Sequence, residues 1–481
     1  MLNLSKYVIY KKLKNDWYYL FNCITSDIIY IKKNQLNNIL NGKIEENMEK
    51  ILLDNNILVT DGRNDNNIYS KLTEKARKYN SGVSLLRVLL TDKCNIKCRY
   101  CKVVPNICNK QEKPVPIDKF EKALKVLIES NSKEQKIVHI TGGEPLLFKE
   151  KILEIIKLIK KFDTDDKIMT VIGTNSLLLN EEFLKEILKY NKNIKLIVSL
   201  DGNKKANDVY RNKYDGTGTY DDIVKKIKLI KRYNVEFGIS MVIGTHNIDE
   251  LQKNVELIIN QFNPSSLGTN FMKHPTLDDN EFEGLVSPEI YAKKLYEVFK
   301  NVRDTGIYME LISRKTTSFA NKEFRIFDCG ATAGSTINID SRGNIGPCKS
   351  MLILENEDGI EKEEIKQQLK QKWQNRAPIT YSDCVTCPAV SICGNGCAYE
   401  ALINNKKINS KDNKHCIYSK VFIDCMIMDL FEMLDNSNND DIIIPTLEER
   451  KKLVGNMKPV SKTLKWSIGH ATTSINLKEE D

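Results

Sequence analysis

Apolar residues recur at three- and four-residue intervals in stretches such as EKALKVLIES and KILEIIKLIK, which places them on one face of a helix. This spacing predicts helices over Lys119–Ser130, Lys149–Lys161, Glu181–Lys189, Asp221–Tyr233, Asp249–Gln261 and Pro288–Val302. Short apolar runs alternate with them and predict strands at Leu85–Leu90, Ile137–Thr141, Ile168–Gly173, Ile194–Leu200, Phe237–Ile243 and Leu267–Met272. Alternation of this kind implies an α/β fold: a parallel sheet with right-handed crossovers, curved into a full or partial barrel of six β-α units. In such a barrel the chemistry belongs at the C-terminal ends of the strands.

Residues 1–80 follow another pattern. Tyr7–Lys12, Trp17–Thr25 and Asp27–Lys33 read as three short strands with Asn15–Asp16 and Ser26–Asp27 at the turns. Helical spacing follows at Gln35–Leu40 and Glu45–Leu53, then a strand at Ile57–Thr60 and a polar turn at Asp61–Asn67. Strands followed by helices suggest a small winged-helix-like unit. From Asn436 the chain is polar and turn-rich, and this tail is expected to be partly disordered and without chemistry.

Composition narrows the class. The 481 residues are 41% hydrophobic and 28% charged, which fits a folded chain of about three domains. No apolar run approaches the ~18 residues that would suggest a membrane span. Nor does the N-terminus read as a secretory signal. The net charge of +9 is spread over a Lys- and Asn-rich chain, so no nucleic-acid patch is expected.

Thirteen cysteines change the picture more. In a chain read as cytoplasmic they point to metal or redox chemistry rather than disulfides. Cys94, Cys98, Cys101 and Cys108 form one group, and Cys329, Cys348, Cys384, Cys387, Cys393, Cys397, Cys416 and Cys425 a second. Cys23 stands alone, and none lies between Cys108 and Cys329. After the first barrel strand comes Cys94-Asn-Ile-Lys-Cys98-Arg-Tyr-Cys101. Three thiolates on one short loop suit a cubane cluster with one open iron, whereas structural zinc takes four protein ligands. Cys108 lies outside that spacing and reads as a bystander.

The C-x3-C-x2-C loop at the end of a barrel's first strand resembles the radical S-adenosylmethionine (SAM) superfamily. The resemblance implies a 4Fe–4S cluster that binds SAM and yields a 5′-deoxyadenosyl radical, which abstracts hydrogen from the substrate. Strand two ends in Thr141-Gly142-Gly143-Glu144-Pro145, where the glycines permit close approach and the carboxylate takes the SAM ammonium. Strands three and four end in Gly173-Thr174-Asn175 and Ser199-Leu-Asp201-Gly202, which resemble ribose-contacting positions or else cap helices. Arg211 sits where the resemblance implies an arginine near the SAM carboxylate, and Tyr100 where it implies an aromatic ring beside adenine.

In the second group, C-x13-G-x4-C from Cys329 to Cys348 precedes Cys384-x2-Cys387-x5-Cys393-x3-Cys397 and then Cys416. Taken alone, the middle spacing also fits a zinc ribbon. Joined to the barrel motif it resembles the SPASM extension of radical SAM peptide and protein maturases, which implies two auxiliary 4Fe–4S clusters. Carried across, Cys384, Cys387, Cys393 and Cys416 close a distal cluster, while Cys329, Cys348 and Cys397 hold a proximal one. Relatives that supply another cysteine just before the first proximal position are not matched here, so the proximal cluster is expected to leave an iron open for a substrate thiolate, a soft ligand. His415 is expected to be a neighbour rather than a ligand.

The resemblance divides the chain into a module at 1–80, a partial (β/α)6 barrel at 81–310, a SPASM domain at 311–435 and a tail at 436–481. Sulfatase-maturing enzymes place an aspartate directly after the second proximal cysteine; here that position is Lys349. Such enzymes also start close to their first cysteine motif. The better match is a maturase of ribosomally made peptides, whose N-terminal module captures an extended leader as an added strand. Asp27–Lys33 is the expected leader edge, with lysines facing an acidic leader. A thioether between cysteine and carbon is the first expectation for the product. Formylglycine formation, carbon–carbon cross-linking, epimerisation and a zinc-stabilised peptide-binding protein are the alternatives. The reading further implies a flavodoxin- or ferredoxin-type electron donor. No catalytic acid or base is assigned; Asp340, Lys349 and Tyr381 are candidates by position.

Overall fold

The apolar runs become one sheet because strands buried on both faces need no alternation of their own. In the computed structural model, which describes residues 2–60, 63–79, 82–101, 113–132, 134–273, 283–354, 375–405, 407, 409–435, 441–456 and 473–476, nine strands join edge to edge. We number the strands used below in chain order. The module contributes β1 (Val8–Lys12), β2 (Trp17–Asn22) and β3 (Ile28–Lys32). The barrel contributes β4 (Leu85–Leu89), β5 (Ile137–Thr141), β6 (Met169–Thr174), β7 (Ile194–Ser199), β8 (Glu236–Ile243) and β9 (Ser266–Phe271). Beyond these lie β10 (Tyr308–Met309), β11 (Thr336–Ile339), β12 (Ile345–Gly346) and β13 (Ile442–Ile443).

Strands β4 to β9 are parallel and neighbour one another in sequence order, so the six predicted units form the curved sheet as expected. Strand β10 extends it beyond β9, and β11 lies parallel beside β4. The segment that carries the second cysteine group is therefore stitched to the barrel's first strand. The helices that cover the sheet, such as Lys149–Phe162, bury Ile152, Ile155, Ile156 and Ile159 on one stripe. Inside the curve Leu85, Ile137, Met169, Val171 and Ile197 form an apolar plug.

The module departs from expectation twice. The Asn-rich segment read as a turn at Asp61–Asn67 is a helix, Arg63–Lys78, whose Asp65 accepts from Ser5 Oγ at 2.7 Å and the Lys6 amide at 2.9 Å. An acid in the first turn and this tertiary contact outweigh poor intrinsic propensity. The second departure concerns the edge. The sheet order is β13-β3-β2-β1, so Asp27–Lys33 is not free: β13 pairs with it through Ile442 opposite Ile31 and Ile443 opposite Tyr30. The Lys32 amide also donates to the Asp441 carbonyl at 3.2 Å. The open edge is β1. Cys23 and Leu13 amides bond the Tyr7 and Trp17 carbonyls, so odd residues of β1 face β2 and the amides of Tyr10 and Lys12 face outward.

The tail is not structureless. Beyond β13, Leu447–Lys451 is a helix with a capping box from Thr446 and Glu449, and Thr473–Asn476 pairs with Glu323–Phe327. Cys108 lies outside the described residues. Among the described residues, no helix is long and apolar enough to cross a membrane.

Candidate functional site: two thiol sets on one cavity

A cavity of about 590 Å³ opens at the C-terminal ends of the barrel strands. It is of ordinary size for a ligand site. Cys94, Cys98 and Cys101 line one side, and Cys329, Cys348 and Cys397 another.

Electrostatic coupling sorts the thiols. Cys94 and Cys98 each feel Cys101 as a like charge; Cys329 and Cys348 feel Cys397; Cys384 feels Cys416 and Cys387, and Cys393 does likewise. Cys397 thus lies near Cys329 and Cys348 rather than with its sequence neighbours Cys384, Cys387 and Cys393. Burial is the main cause that lifts them, with Cys94 pushed up to about 11 and Cys98, Cys348 and Cys384 to about 12. The metal-free thiols therefore keep their protons at neutral pH, and metal loading has to release them. Among the described residues no three His, Cys, Asp or Glu side chains converge on a single ion. Three thiols of one set on one cavity wall fit a polynuclear cluster, in which each thiolate would take a different iron. Cys23, apparently isolated in sequence, is fully buried, donates to the Val385 carbonyl at 3.7 Å and lies near enough to Cys387 to feel its charge.

The GGEP turn closes the floor beneath the first set. A Cβ at Gly142 would meet the Thr91 carbonyl at 2.5 Å, and one at Gly143 the Lys93 carbonyl at 2.1 Å. Only glycine fits this approach. Glu144 is fully buried; its Oε1 accepts from Thr174 Oγ1 at 2.6 Å and the Leu146 amide at 3.0 Å, and its Oε2 from the Asn175 amide at 2.7 Å. Burial raises its pKa, while these donors and Arg211 pull the other way. Asn175 Nδ2 donates to Asn95 Oδ1 at 2.7 Å and approaches Cys94 Sγ at 3.8 Å, tying the third strand to the cysteine loop.

Tyr100, Ser199 and Arg211 also line the cavity. Asp201 does not. It is fully buried, accepting from Tyr100 Oη at 2.5 Å and the Val242 amide at 2.9 Å, so it acts through Tyr100. Arg211 Nη1 donates to the same Tyr100 oxygen at 2.7 Å. Burial and the Asp201 charge hold the phenol far above its ordinary range, despite Arg211.

Of the acid–base candidates only Lys349 reaches the cavity. The Asp340 carboxylate staples its own turn through the Arg342 and Asn344 amides at 3.0 and 2.8 Å. Tyr381 Oη donates to the Asn409 carbonyl at 3.0 Å. His415 is buried and bonds the Cys393 carbonyl at 2.7 Å and Tyr418 Oη through its other nitrogen. Burial and the nearby Lys315 push its pKa down to about 3, so it is a neutral packing partner. Sequence reasoning passed over Arg87, His139, Lys273 and Glu400, which line the same cavity. A charged or imidazole residue in the middle of the runs LLRVL and IVHIT was the available signal.

Comparison with known proteins agrees with this geometry. Residues 88–258 match the family model described as the Radical SAM superfamily. GTP 3′,8-cyclase of Clostridium perfringens is 32% identical over 237 residues, which is 48% of this chain and 69% of the cyclase. Among solved structures, native anSMEcpe with bound AdoMet and Cp18Cys peptide superposes with a TM-score of 0.60 at 18% identity, over 74% of this chain and 99% of that one. Streptococcus suis SuiB bound to its precursor peptide SuiA superposes at 0.50 and 17% identity, over 86% of this chain and 100% of SuiB. At these identities the structures share the fold.

Proposed function

We propose that this chain, which belongs to the radical SAM superfamily, modifies a leader-bearing precursor peptide and joins a cysteine sulfur to a carbon. The observation that carries this reading is the single cavity shared by two sets of three thiols. One set with SAM supplies, when loaded, the 5′-deoxyadenosyl radical that takes a hydrogen atom from the substrate. The other set has three cysteines and no fourth cysteine beside them among the described residues, which suits it to a substrate cysteine. A substrate lodged between them presents a C–H to one side and a thiol to the other. Overall, a C–H and an S–H would give way to a C–S bond, an oxidation by two electrons in which SAM is the oxidant: the hydrogen atom leaves in 5′-deoxyadenosine, the thiol proton passes to solvent, and the remaining electron replaces the one spent on cleaving SAM.

This chain's own residues do the positioning. Glu144 offers its remaining carboxylate lone pair to the SAM ammonium, and Arg211 is placed for the SAM carboxylate beside Tyr100. The distal set, Cys384, Cys387, Cys393 and Cys416, stands off the cavity and suits electron transfer from a flavodoxin- or ferredoxin-type donor; three clusters in all are expected. Oxygen-sensitive clusters and reduced thiols fit a cytoplasmic setting.

The module at residues 1–80 takes the leader, and β1 is the edge for it. Outward amides at Tyr10 and Lys12 offer main-chain hydrogen bonds, while Lys6, Lys11, Lys12 and Lys14 favour an acidic strand. The reach of the SuiB match over 86% of this chain supports a module of that kind.

Formylglycine formation is the competing chemistry, because the anSMEcpe fold is shared. Lys349 in place of an aspartate base argues against it. The deciding experiment incubates anaerobically reconstituted enzyme with SAM, dithionite and the precursor. Loss of the mass of two hydrogen atoms with protection of one cysteine from alkylation is the expected result. Conversion of a cysteine to an aldehyde would replace this reading with the other. Zinc in place of about twelve irons, with no 5′-deoxyadenosine, would remove both.

A further inference from the structure

The acids of the cavity already have partners. Glu310 and Asp328 hold Arg314 at 3.3 and 2.7 Å, and Glu400 holds Lys273 at 3.1 Å with Lys414 at 3.8 Å. Asp412 accepts from the Cys397 and His415 amides at 3.1 and 3.2 Å, and Glu144 has the three donors described above. Three basic side chains on the same wall face none of these acids: Arg87, His139 and Lys349.

Arg87 on β4 and His139 on β5 are directly opposite in register, each 8% exposed, and both stand on the apolar plug. Arg87 gives Nη1 to Asn338 Oδ1 at 3.2 Å, a neutral acceptor, and its Nε has no hydrogen-bond partner among the described residues. His139 Nδ1 has none either. On the next strand, a Cβ at Gly173 would come within 3.1 Å of His139 Nε2, so glycine there leaves the ring its space. Lys349, directly after Cys348, lines the same cavity and is solvent-exposed. Burial first, and then the charges of Arg87 and Lys349, hold the imidazole well below its ordinary range, so it stays a neutral donor and acceptor.

A buried guanidinium beside an unsatisfied imidazole, with the solvent-exposed Lys349 at the same cavity, favours an anion, because an unpaired buried charge is costly. A guanidinium with Nη1 occupied still offers its Nε edge, which matches the two oxygens of a carboxylate. We propose that Arg87, His139 and Lys349 form a receptor for one carboxylate of the peptide substrate, from an Asp or Glu side chain near the reacting residue or from the peptide's C-terminus. The receptor rests on the peptide-maturase reading and names the substrate feature that reading leaves open. Neutralisation of the thiolates at Cys329 and Cys348, which lie near Arg87, is the rival role for that cation.

Ligand-observed NMR on reconstituted, SAM-loaded enzyme separates the two. The probes are N-acetyl-aspartyl methylamide against its asparaginyl counterpart, and N-acetylglycine against its amide. A charge-assisted contact predicts that a carboxylate probe binds about 10-fold or more tighter than its amide partner. Whichever pair shows the preference identifies the side chain or the terminus as the source. In Arg87→Gln and in Lys349→Met the preference should fall toward parity. The wild-type comparison needs no variant to fold. Equal binding within both pairs overturns the receptor, as does a preference that survives both substitutions; an altered cluster spectrum in Arg87→Gln without a carboxylate preference assigns Arg87 to the thiolates instead. Release of 5′-deoxyadenosine in the same samples reports on the radical reading separately, since probe binding requires no radical.

Discussion

Replacing Glu144 by Gln changes one atom at the most constrained point of the cavity. A carboxylate has about four lone-pair sites. Three are occupied: Oε1 by Thr174 and Leu146, Oε2 by Asn175. The fourth, on Oε2, is the one left for the SAM ammonium. Glutamine keeps its oxygen at Oε1, where two donors need it, and so sets its NH2 against the Asn175 amide and the ammonium together. Losing a charge-assisted hydrogen bond costs about 1.5–3 kcal/mol, which weakens SAM roughly 10- to 150-fold. The orphaned Asn175 amide costs a further ~1–3 kcal/mol of stability without bearing on the ligand. Equilibrium dialysis under anaerobic conditions measures the first effect. 5′-Methylthioadenosine, which lacks the amino and carboxylate groups, separates it from general damage: its affinity should stay within about 2-fold. If SAM binding is unchanged in a folded Glu144→Gln protein, or if both ligands weaken equally, the lone-pair argument is wrong.

Other consequences are equally direct. Cys98→Ala should abolish 5′-deoxyadenosine release, whereas Cys387→Ala should retain part of it, lose about four irons and lose peptide product, by iron analysis and mass spectrometry. Normal product from Cys387→Ala would make the distal set dispensable. Tyr10→Pro removes an amide that faces away from β2, so β1 keeps its ladder while a docked strand loses a bond; precursor affinity should fall roughly 5- to 10-fold with the denaturation midpoint unchanged. Arg450 is fully buried and donates to the Phe319 and Ala320 carbonyls at the end of helix Glu310–Ala320, so Arg450→Met should leave those carbonyls bare and destabilise the protein by ~1–3 kcal/mol in urea unfolding.

The barrel was legible because each of its strands is an apolar run and each of its helices an amphipathic stripe, both local signals. The thiol sets were legible for a different reason: ligand spacing survives any fold that brings the loops together. What escaped was set by contacts far apart in sequence. Nothing in DIIYIKK tells that Ile442 and Ile443 will cover it, and without them it reads as the sheet's edge. Asp201 follows a strand end just as a ligand-contacting residue would, yet Tyr100 and Val242 consume both its oxygens. The Asn-rich run at 61–67 has the composition of a turn, and only Ser5 and Lys6 reveal why it is helical from Arg63.

The module is joined to the catalytic half by buried contacts rather than by a loose tether. Tyr30 Oη donates to the Ile427 carbonyl at 2.8 Å, Lys322 meets Asp27 at 2.6 Å, and Trp17 and Tyr30 pack on Phe431 at 5.4 and 5.1 Å between ring centres. Phe21 lies 6.1 Å from Phe319, on the same helix that sends Glu310 and Arg314 to the cavity wall. A leader strand held on β1 therefore starts from a fixed point, and the chain between leader and reacting cysteine has a fixed distance to span. Tethering then raises the local concentration of the core peptide only when that connection is long enough, and falls away slowly beyond it. Fixed geometry at the module and an unpaired cationic floor in the cavity divide recognition into two parts. On the proposed function, the module would select which peptide enters, through its backbone edge, and the floor would select which residue lies under the radical, through its charge. Neither part would require the other's chemistry, so an enzyme working as proposed would accept varied core sequences provided the leader and one well-placed carboxylate are kept.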